Sequence, residues 1–71
     1  MTVTCETIET NQQNLPAYGL AFFIGQRQIC TIEDITLDRG QIEALREAIN
    51  SGGLDEIHIR DVVEDAVARW A

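Results

Sequence analysis

Residues 17–34, AYGLAFFIGQRQICTIED, decide the fold of this chain. Residues 17–24 are apolar on both of their alternating sides, which is typical of a strand that is covered on both faces. A short polar turn that begins with a glycine separates them from residues 28–34, where β-prone residues resume. We therefore predict a β-hairpin with strands over residues 17–24 and 28–34.

The length of the hairpin loop sets the register of this pair. A two-residue loop places Phe22 opposite Ile29 or Thr31, whereas a three-residue loop places it opposite Cys30. The second arrangement makes the better core because it gathers five apolar residues on one face: Leu20, Phe22, Ile24, Cys30 and Ile32. We favour that register, which leaves a second apolar set on the opposite face: Ala21, Phe23 and Ile29.

A further strand precedes the hairpin. Residues 2–10 are rich in threonine and include Val3 and Cys5, a β-prone composition with imperfect alternation that predicts an edge strand. Residues 11–16 are polar and end in Pro16, which lacks a backbone donor for a ladder, so we predict a loop there. The sheet then has three strands, which we expect to be antiparallel.

A first helix follows the sheet. We predict it over residues 38–51, because three apolar residues recur at i, i+3 and i+7: Ile42, Leu45 and Ile49. Thr36 or Asp38 is expected to cap its first turn. The glycines at 52 and 53 are expected to end it, because glycine readily adopts the left-handed conformation of a helix terminus.

A second helix is predicted over residues 59–70. Its apolar residues form one continuous stripe at helical spacing: Ile59, Val62, Val63, Ala66, Val67 and Trp70. Such a two-faced helix has to lie on an apolar surface. We therefore predict a single α+β domain over residues 1–71, in which a three-stranded antiparallel sheet is followed by two helices packed on one sheet face.

The charge of the chain excludes one class of partner. Twelve acidic residues stand against five basic ones, giving a net charge of -7, and all five basic residues are arginine. Nucleic-acid affinity depends mainly on basic side chains that neutralise phosphates, so we expect no binding of DNA or RNA. An acidic second helix also argues against a helix-turn-helix recognition role.

The location of the protein is predicted from what the sequence lacks. No apolar run approaches the roughly 20 residues that a membrane helix needs, so we expect no membrane span. No signal peptide is apparent, and Cys5 and Cys30 both lie in strand-like segments. We therefore expect free, buried thiols in a reducing cytoplasm.

One group of polar residues is a candidate metal site. His58, Asp61 and Asp65 recur at i, i+3 and i+7 and share one edge of the second helix, which Arg69 continues. An imidazole and two carboxylates can ligate a divalent metal. The simpler interpretation is structural: Asp61 favours the helix dipole and Asp65 pairs with Arg69, so we assign no metal and no cofactor.

No arrangement of residues predicts catalysis. The only serine, Ser51, lies where the first helix ends, and the cysteines lie in strands. A domain of this size also has little room for a pocket that would shift a pKa. We predict that the protein is not an enzyme and has no catalytic residues.

The remaining possibility is contact with another protein. If the helices cover one sheet face, the apolar side chains of Ala21, Phe23 and Ile29 remain on the other, and exposed apolar patches on small domains favour association. A second copy of the chain, joined through a sheet face or a strand edge, would bury them. We therefore expect a protein partner or a homodimer.

Several segments together resemble a family of small uncharacterised proteins, a domain of unknown function, from Firmicutes bacteria. They lie within residues 18–65: Tyr18-Gly19, the stretch IEDIT at 32–36, Asp38-Arg39, Ile42, Leu45, Asn50 and the stretch HIRDVVED at 58–65. The proline that usually precedes the histidine segment is absent here, where Asp55-Glu56-Ile57 stands instead. The resemblance implies a cytoplasmic bacterial protein and transfers no activity, ligand or site residue.

The sequence therefore predicts a small acidic, non-enzymatic module for protein interaction or regulation. A metal- or small-ligand-binding module that uses His58, Asp61 and Asp65 is one alternative. Another is an acidic decoy that occupies a basic nucleic-acid-binding protein.

Overall fold

A computed structural model describes residues 2–12 and 14–70 of the chain. Three strands, β1 (Val3–Gln12), β2 (Leu15–Ile24) and β3 (Arg27–Thr36), form one antiparallel sheet in the order β1-β2-β3. Helix α1 (Arg39–Gly52) follows, and a short 3-10 turn (Glu56–His58) leads into helix α2 (Ile59–Trp70). The predicted α+β architecture is confirmed, and β1 is an edge strand as predicted.

The connection between β1 and β2 is shorter than the predicted loop. Asn11 pairs with Pro16 and Gln12 with Leu15, so two residues separate the strands. Asn14 lies in that turn with a φ of 69°, a conformation that asparagine tolerates better than most residues. The prediction of a loop over residues 11–16 is wrong because Pro16 stands at the start of its strand, where a missing donor is tolerated.

The connection between β2 and β3 is a two-residue loop, but most of the pair has the register expected for a three-residue loop. Ile24 pairs with Arg27 across a two-residue loop, in which Gly25 takes a φ of 62°. A register shift after Phe22 then restores the predicted pairing of Phe22 with Cys30. The register is confirmed, but a bulge produces it in place of a three-residue loop.

A second irregularity lies opposite Gly19. Leu20 pairs with Ile32 and Tyr18 with Thr36, so one residue of β2 faces three residues of β3. Asp34, in the middle of these three, has a φ of 56°. A Cβ at Gly19 would overlap the Ile32 carbonyl oxygen, so only glycine allows the backbone of β3 to come this close.

The core lies between the sheet and the helices. Its buried members come from one face of the sheet and from both helices: Val3, Cys5, Leu20, Phe22, Ile42, Leu45, Ile49, Ile59, Val63 and Ala66. Ile24 and Ile32 are only partly buried against this cluster. Cys30, predicted to be a buried thiol, is exposed, because it lies on the outer strand β3, where Ile29 packs against the core cluster.

The face of the sheet without helices exposes less apolar surface than predicted. Ala21 is 6% exposed and Phe23 is half-buried, while the bulge places Ile29 against the core cluster. The irregular part of β3 leans over Gly19, and the Asp34 carboxylate accepts a hydrogen bond from the Thr10 hydroxyl at 2.9 Å, across β2. Ala21, Phe23 and Ile29 therefore do not form one exposed patch.

The ends of α1 agree with the sequence pattern. Asp38 is the N-cap residue, and its side chain accepts a hydrogen bond from the Gln41 amide at 3.2 Å. Thr36, the alternative cap, instead accepts a hydrogen bond from the Asp38 amide at 3.1 Å. Gly53 ends the helix with a φ of 70°, as the glycine pair predicted.

Candidate functional site

The predicted metal candidates lie on the exposed side of α2 and of the turn before it. The Nδ1 atom of His58 is 3.7 Å from an Asp61 carboxylate oxygen, and Asp65 lies 3.7 Å from the Arg69 guanidinium. Within residues 2–12 and 14–70, no three His, Cys, Asp or Glu side chains are grouped so that they could hold a metal ion. The structure therefore arranges these residues as one weak, exposed Arg69–Asp65 ion pair and one long, exposed contact between His58 and Asp61, along one helix edge.

A different feature of the molecule has the geometry of a binding site: the outer edge of β1. An edge strand presents unpaired backbone N–H and C=O groups, to which another strand can add. Hydrogen bonds that Val3 and Cys5 make outside the sheet show which groups of β1 point outward. Different parts of the chain form hydrogen bonds with these two residues.

Asn50 of α1 satisfies the backbone of Cys5. The Cys5 amide donates to Oδ1 of Asn50 at 2.8 Å, and Nδ2 of Asn50 donates to the Cys5 carbonyl at 3.1 Å. The side-chain amide thus takes the place that a neighbouring strand would occupy, using one donor and one acceptor. We call this pair of bonds the Asn50 clamp.

The segment that follows α1 hydrogen-bonds to Val3, the neighbouring outward-facing residue of the edge. The Val3 amide donates to the Leu54 carbonyl at 2.9 Å, and the two residues form an isolated antiparallel bridge. Together with the Asn50 clamp, this bridge protects the N-terminal half of the outer edge from additional pairing.

A row of polar side chains holds α1 over β1. The Thr7 hydroxyl donates to the Glu43 carboxylate at 3.0 Å, and the Arg46 guanidinium donates to the same carboxylate at 2.9 Å. These hydrogen bonds, that from Arg46 first, hold the pKa of Glu43 below its usual value. Glu43, Arg46 and Asn50 are spaced i, i+3 and i+7, so one side of the helix provides the whole row.

The C-terminal half of the same edge is open. Because backbone groups alternate in direction along a strand, Thr7, Glu9 and Asn11 point outward as Val3 and Cys5 do. In the described part of the chain, their outward N–H and C=O groups have no hydrogen-bond partner. We call these three residues the open edge.

The open edge is also regular, in contrast with the other edge of the sheet. β1 pairs with β2 in one continuous register from Val3 to Gln12. β3 has register shifts opposite both Gly19 and Phe23, and such bulges twist a strand and discourage further pairing. Of the two outer strands, β1 therefore offers the better template for an added strand.

The thiol beside the Asn50 clamp has no reactive character. Cys5 is 2% exposed, and its Sγ lies 3.8 Å from the Arg46 carbonyl, to which it donates. Burial raises the pKa of this thiol from 9.0 to about 11, although the nearby Arg46 charge acts in the opposite direction. Since the thiolate is the nucleophile, Cys5 is a poor candidate for catalysis.

Two further depressions lie among the helices. A groove of about 200 Å³ between α1 and α2 is lined mainly by Leu45, Ile49 and Val62. A cleft of about 310 Å³ between β3 and the start of α2 contains Cys30, Arg60 and Ile57, and Ile57 is 80% exposed. Both are open to solvent, and the groove between α1 and α2 is lined mainly by apolar side chains.

The sequence predictions missed the open edge and the Asn50 clamp. In the sequence, Asn50 stands just before the glycines that end α1, and its position alone indicates no contact with the sheet. The signal that could have found it is the row Glu43, Arg46 and Asn50, which runs beside the apolar positions of α1 and would be directed at an edge strand. Even so, its contact with Cys5 depends on how the helix lies on the sheet.

Comparison of the chain with protein-family models, with curated proteins and with solved structures finds no match. In the described ranges, neither helix has the length and hydropathy of a membrane span.

Proposed function

We propose that this protein is a non-enzymatic binding module that takes up an extended segment of a partner protein as a fourth strand beside β1. The observation that carries this proposal is the open edge. Its three residues, Thr7, Glu9 and Asn11, are consecutive outward-facing positions on a strand that pairs with β2 in one continuous register. Strand addition of this kind is a common mode of peptide recognition, because main-chain hydrogen bonds supply affinity.

The arrangement around the open edge supports this mode of binding. The Asn50 clamp and the Val3–Leu54 bridge cover the N-terminal half of the edge, so an added strand has a defined stretch available to it. The bonds from Thr7 and Arg46 to Glu43 tie β1 to α1, which keeps the strand rigid before a partner arrives. A rigid template lowers the entropy that binding loses.

A cytoplasmic location and membership of the Firmicutes family remain predictions from the sequence. They fit this proposal, since an intracellular adaptor needs neither a disulfide nor a cofactor.

The proposal is tested with a neutral strand-forming peptide, Ac-TVTVTVT-NH2, titrated into the protein and followed by amide NMR signals and hydrogen exchange. We expect slower exchange and shifted signals at the amides of Thr7, Glu9 and Asn11, and little change along β3. A peptide that is N-methylated at alternate residues is the control, because it cannot complete the ladder.

A pair of variants isolates the backbone contribution. Glu9→Pro removes an outward N–H that the fold does not use, whereas Glu9→Ala keeps that donor and removes the same side chain. We expect binding to be lost in the proline variant and retained in the alanine variant. Equal binding by both variants, or no protection of the open edge by any peptide, would show that the function does not lie at this edge.

A further inference from the structure

Resting on the proposed function, we infer that the segment taken up by the open edge is a basic extended segment of a different protein, with lysine or arginine at alternate positions. The charges that flank the open edge and the position of α1 over β1 favour such a segment over a neutral one and over a second copy of the chain.

The acidic side chains at this edge are not balanced locally. Glu9 belongs to the open edge, and Glu6 immediately precedes Thr7, the first residue of that edge. Both glutamates are exposed. Among the described residues, neither of them forms an ion pair. Neither arginine of α1 pairs with them in the described ranges, because Arg46 is hydrogen-bonded to Glu43 and Arg39 forms no ion pair with Glu6 or Glu9.

An added strand would place its side chains directly against Glu9, whereas Glu6 lies on the opposite face of the sheet and adds negative charge beside the edge. Residues that are opposite one another on neighbouring strands have Cβ atoms about 4.5–5.5 Å apart, and opposite charges at such positions stabilise the pair. Thr7, Glu9 and Asn11 lie on the helix side of the sheet, so cationic residues two apart on the partner can face them. Ile8, half-buried on the other side, favours a β-branched residue next to it.

A second copy of the chain fits this edge poorly. The bonds from Thr7 to Glu43 and from Cys5 to Asn50 place α1 over β1. In a twofold pairing of two β1 strands, the two copies of α1 would lie on the same face of the joined sheet, with the polar sides that carry Glu43 and Asn50 turned toward each other. Each copy also carries a net charge of -7, which opposes the association.

The charge of the whole chain favours a basic partner over a neutral one. The excess of acids attracts cationic segments over distances of about the Debye length, which speeds their encounter with the edge. The backbone hydrogen bonds can then hold any segment that adopts an extended conformation. The alternate cationic side chains of a basic segment give it a higher affinity than other segments have. We therefore expect the affinity of a basic segment to fall as salt is added, while the segment still binds at the open edge.

The experiment compares three peptides of equal length on the unmodified protein: Ac-KVKVKVK-NH2, Ac-TVTVTVT-NH2 and Ac-EVEVEVE-NH2. We expect the lysine peptide to bind most tightly and the glutamate peptide most weakly, with all detectable binding at the amides of Thr7, Glu9 and Asn11. The advantage of the lysine peptide should shrink as sodium chloride is raised, since salt screens exposed charges.

A matched pair of variants locates the charge effect. Glu9→Gln keeps the size and the backbone donor at the edge, and we expect it to weaken binding of the lysine peptide about two- to five-fold, the range for one exposed ion pair. Glu64→Gln makes the same change of net charge on the exposed side of α2, and we expect it to leave that affinity nearly unchanged.

The outcomes separate this inference from the function on which it rests. If all three peptides bind at the open edge with equal affinity, the basic partner is wrong and strand addition stands. If the protein sediments as a dimer whose Thr7, Glu9 and Asn11 amides are already protected, a second copy is the occupant and this inference is overturned. If no peptide protects the edge and the protein is a monomer, both proposals are wrong.

Discussion

Gly19 is the residue at which the shape of the sheet depends on a single missing atom. The backbone of β3 passes so close to it that the Ile32 carbonyl oxygen and the Glu33 Cα occupy the space of a side chain. This close approach lets Asp34 reach across β2 to the Thr10 hydroxyl. Both edge strands are thereby linked on the face that has no helices.

We predict that Gly19→Ala destabilises the protein by about 2–3 kcal/mol, because the new Cβ must displace backbone atoms of β3. Urea unfolding followed by circular dichroism measures the change. Thr10→Val, which removes only the hydroxyl that donates to Asp34, is the comparison and should cost about 1 kcal/mol. A cost below about 0.5 kcal/mol for Gly19→Ala would contradict the close approach.

Cys5 makes the stability of the protein dependent on pH in the alkaline range. Its pKa is raised to about 11 by burial, and the ordinary value of 9.0 applies to the unfolded chain. The unfolded state therefore loses its thiol proton first, so this stabilisation is complete below pH 9 and is lost as pH rises toward about 11.

We predict that the free energy of unfolding falls between pH 9 and pH 11 by an amount on the order of 2 kcal/mol from this residue alone. Urea unfolding at a series of pH values measures the slope. Cys5→Ala is less stable at neutral pH but should lack this part of the slope, whereas Cys30→Ala should keep it because Cys30 is exposed. Identical slopes in Cys5→Ala and the unmodified protein would contradict the prediction.

At the scale of the element, the two glycines that end α1 have different roles although they are adjacent. Gly52 is the last residue of the helix and has no atom within 4 Å of the position of an added Cβ. Gly53 has the left-handed conformation, with a φ of 70°. Only the second position requires glycine.

We predict that Gly52→Ala stabilises the protein by about 0.5–1 kcal/mol, because alanine is the better helix former and meets open space. Gly53→Ala should destabilise it by about 1 kcal/mol, because a Cβ is disfavoured in the left-handed region. Thermal unfolding of the two variants, measured side by side, tests the pair. A change of the same sign in both would contradict it.

The elements themselves could be predicted from periodicity, and their details could not. The helices were placed within a residue or so because Ile42, Leu45 and Ile49, and the stripe of α2, repeat at helical spacing. The bulges beside Gly19 and Phe23 have no such signal, because they depend on the backbone of a neighbouring strand. The exposure of Cys30 was also missed, because its pairing with Phe22 was predicted correctly but its place on an outer strand leaves it exposed.

At the scale of the whole molecule, the charge is concentrated in the half of the chain that forms β3 and the helices. Residues 31–71 contain ten acidic residues and four arginines, and residues 1–30 contain two acidic residues and one arginine. In the described chain only the Arg46–Glu43 pair is short, at 2.9 Å, while two others lie at 3.7 Å. Repulsion between acids therefore outweighs the ion pairs.

We predict that raising sodium chloride from about 10 mM to about 300 mM raises the melting temperature by about 2–4 °C, because salt screens this repulsion. Differential scanning calorimetry measures the shift. The double variant Glu47→Gln, Glu64→Gln neutralises two exposed acids and should show a smaller rise. A melting temperature that falls with salt would mean that the ion pairs dominate.

The candidate site was less accessible to sequence reasoning than the fold. The sequence directed attention to His58, Asp61 and Asp65, whose spacing is regular, and to three apolar residues of the sheet. The open edge is defined by backbone groups of Thr7, Glu9 and Asn11, and every residue type carries such groups. These backbone groups differ from those of other residues only because β1 is an outer strand and because Asn50 and Leu54 bond to Cys5 and Val3 but not to them.

The fastening of β1 by Asn50 and Leu54 has a consequence for the newly synthesised protein. These residues follow the entire sheet in the chain, so a ribosome releases β1, β2 and β3 before either of them is available. During that interval the outer side of β1 is bare from Val3 to Asn11, and neighbouring nascent chains can pair with it. Completion of α1 is thus the step in synthesis that shortens the exposed template to its final length.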